Sequence, residues 1–76
     1  MKVEKIYIEE KIKRIISVDP PVPISLKEEG EWQVIELSDE VLRELKENIV
    51  IRFETQDGGE SIVVYPVLKV TAHLHS

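Results

Sequence analysis

Ile62-Val63-Val64-Tyr65-Pro66-Val67-Leu68-Lys69-Val70-Thr71-Ala72-His73-Leu74 is the stretch from which the rest of the chain can be placed. Its even positions, Ile62, Val64, Pro66, Leu68, Val70, Ala72 and Leu74, are all apolar. Its odd positions begin with Val63, Tyr65 and Val67 and turn polar at Lys69, Thr71 and His73. A period of two is that of a half-buried strand, and helical spacing does not fit it. At about 3.3 Å per residue the run would span about 43 Å. Pro66 has no N–H to give to a ladder, which predicts a bend, a bulge or a change of sheet inside it.

Immediately upstream, Gln56-Asp57-Gly58-Gly59 supplies the positive φ that tight hairpins need. Before that turn, Ile49, Ile51 and Phe53 alternate with Val50, Arg52 and Glu54. Residues 49–55 and 61–67 are therefore predicted to pair antiparallel. Further upstream, Ser38-Asp39-Glu40 reads as a helix start, with acidic side chains at the positive end of the helix dipole. Val41, Leu42 and Leu45 form its apolar stripe, and Asn48 is placed to end it after about three turns. Val22 to Leu37 reads as a second hairpin, turned at Glu28-Glu29-Gly30-Glu31. Asp19-Pro20-Pro21-Val22-Pro23 is an extended connection that cannot be helical.

Residues 2–18 satisfy two periods. Ile6, Ile8, Ile12, Ile16 and Val18 share one face of a strand, whereas Ile8, Ile12, Ile15 and Ile16 share one face of a helix. β-branched side chains favour the strand, with a break near Glu9–Glu10. The predicted class is α+β and β-rich. It is a single domain, residues 1–76, holding a five-stranded antiparallel sheet or small OB-like barrel with one short helix between strands 3 and 4.

A chain of 76 residues buries a thin core, and with no Cys it has no disulfides to reinforce it. Association with a second copy or another protein is the expected remedy. No run approaches the roughly 20 apolar residues that cross a bilayer, and residues 1–10 lack the apolar segment of a signal peptide. A cytoplasmic protein without membrane contact is expected. Abundant Ile, Val, Glu and Lys give it a thermophile-like composition.

The net charge is −5 and is unevenly spread. Residues 1–18 hold five basic and three acidic side chains, and residues 19–76 hold five basic and twelve acidic ones. That balance disfavours nucleic acid as a partner, because such binding is mostly phosphate neutralisation. The nucleic-acid candidates are Lys5, Lys11 and Lys13, which share one face of the first strand with Tyr7.

Catalytic constellations are missing from the sequence, and the chain is read as a non-enzyme that uses no cofactor. There is no Ser-His-Asp or Cys-His set. His73 and His75 are the only histidines and would point to the same side of a strand, two imidazoles where a metal site needs three or four ligands. Exposed terminal side chains are the favoured reading of that pair, so no metal is expected. Gly58-Gly59 joins two strands and has no following Lys and helix, so it is not a phosphate loop. The expected function is a non-catalytic interaction or accessory module, acting through self-association or strand-edge protein binding. The partner-binding candidates are Trp32, Val63, Tyr65 and Val67.

Residues 34–66 also resemble the AbrB/MazE swapped-hairpin family. The text that carries the resemblance is Ile35-Glu36-Leu37, the helix from Ser38 to Leu45, the strand Ile49–Glu54, Asp57-Gly58-Gly59, and Ile62-Val63-Val64-Tyr65-Pro66. The resemblance implies interlaced hairpins in a dimer and, as the alternative function, a DNA-binding regulator or antitoxin. Ser38 stands where that family usually has proline, and Glu28, Glu29 and Glu31 stand where it usually has basic residues. The dimer carries over more readily than the DNA contact.

Overall fold

A computed structural model of the chain describes residues 2–67. Its elements, in order, are β1 (Val3–Ile8), β2 (Ile12–Asp19), β3 (Ile24–Glu29), β4 (Trp32–Ser38), α1 (Asp39–Glu44), β5 (Ile49–Thr55) and β6 (Glu60–Tyr65). They form two three-stranded antiparallel sheets, β1-β4-β3 (sheet A) and β2-β5-β6 (sheet B). The β-rich class and the single short helix are as expected, but the strand count and arrangement differ. Among the described residues six strands replace five, two sheets replace the single sheet, no ladder between β1 and β6 closes an OB-like barrel, and the helix lies between strands 4 and 5.

The sixth strand comes from the break at Glu9–Lys11. Ile8 and Ile12 are both buried, one at the end of sheet A and one at the start of sheet B. The exposed Glu9, Glu10 and Lys11 carry the chain from one sheet to the other. Two register shifts in β2, between Ile12 and Arg14 and between Ile15 and Ser17, explain the ambiguous periodicity of this region. Each shift leaves one residue of β2 unopposed, as a β-bulge does. Ile12, Ile15 and Val18 therefore face the core at intervals of three, and Ile15 takes the place predicted for Ile16.

The inner faces of the two sheets share one core. Ile35 and Leu37 of β4 meet Ile49, Ile51 and Phe53 of β5, with Ile8 and Ile12 beside them. Full burial of a side chain of this size contributes about 1.5–3 kcal/mol. Leu42 and Leu45 of the helical segment pack against the same core. The helix is six residues long rather than about three turns. Leu45 already has extended backbone angles, φ −82° and ψ 146°, so the helix stops there and not at Asn48. Ser38 is its N-cap residue but makes no side-chain capping bond.

Both predicted hairpins form. Glu29 pairs with Trp32 across Gly30-Glu31, and Gly30 has φ +62°. At the β5–β6 turn, Gly58 has φ +94°. The Thr55 hydroxyl bonds the Asp57 carboxylate there, and the Gly59 N–H donates to Asp57 Oδ1 at 3.1 Å. The Thr55 bond first, and then the Gly59 N–H, hold the Asp57 carboxyl below its usual range. Glu54 and Glu60 sit opposite each other next to this turn. Their repulsion is relieved by Arg14 on Glu54 and Arg52 on Glu60, each at 2.7 Å. Pro66 follows the last residue of β6 and closes the strand. Residues 68–74 of the predicted long strand lie outside the described residues.

Candidate protein-interaction surface

On the outer face of sheet A, Val34 is fully buried although it points away from the shared core. Neighbouring side chains cover it. Its cross-strand partners are Tyr7 and Lys27. Lys5 Nζ on β1 reaches Glu29 on β3 at 2.8 Å, and Lys27 pairs with Glu36 at 3.1 Å. The Tyr7 hydroxyl also donates to Glu29, at 3.4 Å. The hydrogen bond to Lys5 draws the Glu29 carboxyl below its ordinary range and raises the Lys5 ammonium above its own.

Tyr7 meets Trp32 edge to face, with ring centroids 6.1 Å apart and planes at 89°. The rings are only half covered, and Trp32 retains 41% of its exposure.

Sheet B is finished differently. Its inner face follows from the register, because Ile49, Ile51 and Phe53 lie opposite Tyr65, Val63 and Ser61. Cross-strand partners share a face, so the odd positions of β6 point inward. Val63, Tyr65 and Val67 pack against the core. The uncovered apolar side chains of this strand are Ile62, 60% exposed, and Val64, 49% exposed. Of the four partner-binding candidates, then, Trp32 lies open, while Val63, Tyr65 and Val67 are turned largely inward. Burial first, and then the hydrogen bond its hydroxyl donates to Glu4 at 2.9 Å, raise the Tyr65 phenol.

The edges of β1 and β6 border one groove. It has a volume of about 430 Å³, with Tyr7, Ile8, Trp32, Phe53, Ile62 and Val63 among its walls. Side-chain bonds join the two strands' ends: Tyr65 to Glu4, and Ser61 to Glu10 just beyond β1. Among the described residues no backbone ladder joins them, so each strand is the edge of its sheet. A second hollow of about 390 Å³, walled by Glu9, Lys11, Glu31 and Trp32, continues from the first through Glu9 and Trp32. Rims as exposed as Trp32 and Ile62 do not enclose a small molecule the way a substrate pocket does.

The three candidate nucleic-acid lysines do not share a face. Lys5 lies in sheet A, tied to Glu29; Lys11 lies in the connection; Lys13 lies on β2 in sheet B. The break at Glu9–Lys11 separates what a single strand would have aligned. His73 and His75 lie outside the described residues. Among the described residues no cluster of His, Cys, Asp and Glu is arranged to hold a metal ion. No helix among them is long and apolar enough to cross a membrane.

The sequence places Tyr7 only as the aromatic among the candidate lysines, and Ile62 and Val64 on the face of the strand opposite the predicted contact. The signal for the last two was present, because the Asp57-Gly58-Gly59 turn fixes which residues of β6 oppose the buried positions of β5. Comparison with family models, curated proteins and solved structures finds no match for this chain.

Proposed function

We propose that this chain is a non-catalytic interaction module that receives an extended segment of another polypeptide along the β6 edge and the groove between β6 and β1. One observation carries this reading. A strand edge without a ladder partner among the described residues presents the exposed Ile62 and Val64, and Ile62 shares a groove with the exposed Tyr7–Trp32 pair. Edges of this kind are templates for strand addition, in which backbone hydrogen bonds supply affinity and side-chain hollows supply selectivity. The incoming strand comes from a second copy or from a different protein.

The DNA-binding alternative draws no support from the lysine positions, and residues 19–76, with twelve acidic side chains, repel phosphate.

The test is selection from a displayed library of random peptides, alongside solution scattering at rising protein concentration. The expected outcome is enrichment of extended peptides, or formation of a dimer, that is lost in Ile62→Lys while the fold is kept. A monomer at all concentrations together with no enriched peptide contradicts the reading.

A further inference from the structure

We infer that the segment this groove receives is cationic: an extended peptide whose Lys or Arg side chain lies over Trp32 between Glu9 and Glu31. The inference rests on the strand-edge reading above and adds the chemistry of the partner. The hollow that continues the groove is walled by Glu9, Lys11, Glu31 and Trp32, two carboxylates and one ammonium around an indole. Glu10 on the adjoining wall is held by Ser61 at 2.9 Å, and Glu29 beneath Tyr7 is neutralised by Lys5. Glu9 and Glu31 have no ion-pair or hydrogen-bond partner among the described residues. Lys11 likewise has no ion-pair partner among the described residues, so the walls carry a net charge of −1 beside the Trp32 ring.

That combination favours one kind of side chain. A Lys or Arg stem packs on apolar surface while its head stays with carboxylates, and the face of Trp attracts cations electrostatically. An acidic segment would meet Glu9, Glu10 and Glu31 without compensation beyond Lys11. A neutral strand would gain the edge hydrogen bonds but leave the carboxylates unmatched. The occupant is thus selected by charge complementarity, on top of the backbone pairing that any strand can provide.

Trp32 is the only tryptophan, so its fluorescence reports the hollow directly. Three capped decapeptides alternating Val with Lys, Gln or Glu are titrated into the full chain. The wild type is compared with Glu9→Gln/Glu31→Gln and with a control pair on the far surface, Glu44→Gln/Glu47→Gln. Both pairs remove the same charge from exposed positions, and circular dichroism checks the fold. The Lys peptide is expected to bind at least about fivefold tighter than the Gln peptide. Glu9→Gln/Glu31→Gln should lower its affinity by about 5- to 30-fold, while the control pair leaves it nearly unchanged.

Equal binding of the Lys and Gln peptides overturns the cationic inference and leaves the strand-edge reading standing. An equal loss in both variant pairs attributes the preference to net charge and likewise overturns it. Binding of none of the three peptides, with Trp32 emission unmoved, removes both.

Discussion

Sheet A and sheet B are built alike, three antiparallel strands each, yet they treat their outer faces in opposite ways. Sheet A covers its central apolar residue: Val34 lies beneath Tyr7, the Lys5–Glu29 bridge and the Lys27–Glu36 bridge, and is fully buried. Sheet B leaves Ile62 and Val64 about half exposed on an edge strand. Long charged side chains explain the contrast, because their stems shield apolar surface while their heads pair in water. On sheet A those side chains span the strands on either side of Val34. On sheet B, Arg14 and Arg52 are engaged by Glu54 and Glu60 at the turn end of the hairpin. Bridges shield Val34 alone on sheet A; a partner gains most where apolar surface stays open, at Ile62 and Val64 on β6 and at the exposed Tyr7–Trp32 pair.

The strongest challenge to this contrast is to remove the core on which both sheets depend. Phe53→Ala is expected to cost about 3–5 kcal/mol, measured by denaturant unfolding, and to unfold both sheets in one transition. Separate transitions for the two sheets would show that they do not share a core.

The next effect compares the outer faces directly. Val34→Ala should cost about 1–2 kcal/mol, as expected for a fully buried side chain. Val64→Ala, at a half-exposed position, should stay within about 0.5 kcal/mol. Similar losses at the two sites would erase the distinction between the sheets.

A smaller effect concerns the link between them. Tyr65→Phe removes the hydroxyl that bonds Glu4 and should cost less than about 1 kcal/mol at neutral pH. The sign of the pH dependence follows from the raised phenol. The folded chain holds this proton more tightly than the unfolded one. The contribution is therefore intact below the ordinary value of 10.0 and is lost as pH rises through the higher folded value. Wild type should lose stability above pH 10 more steeply than Tyr65→Phe, as measured by thermal unfolding across alkaline buffers. Parallel curves would show that burial and Glu4 do not act on this group.

The smallest effect should be at the bridge over Val34. Lys5→Gln is expected to cause a slight, salt-sensitive loss of thermal stability, since the pair is exposed. A loss that persists in high salt would point to packing over Val34 as the contribution of the Lys5 stem.

The turns were the most legible part of the fold. Gly30 and Asp57-Gly58-Gly59 act through local backbone preferences, and both hairpins formed around them. The first eighteen residues were legible only in type. Two bulges in β2 and the step at Glu9–Lys11 are set by how the strands dock, and neither has a residue-level marker as firm as an Asp-Gly turn. Charge and periodicity favour helix through Lys46, whereas Leu45 turns extended and packs on the core, so the helix is shorter than its sequence signal. The candidate surface was half legible. Trp32 stood out by type, but the inward direction of Val63 and Tyr65 depended on carrying the hairpin register across to the buried face of β5.

The β6 edge, without a ladder partner among the described residues, should stay open until a strand docks on it and close when one does. Residue-resolved amide hydrogen exchange, with and without the alternating Val-Lys peptide, tests it most directly. Fast exchange is expected at the β6 amides that do not donate to β5, slowed on addition of the peptide, with the interior amides of β4 protected throughout. Edge amides of β6 already as protected as those of β4, or peptide-induced protection confined to another strand, would contradict it.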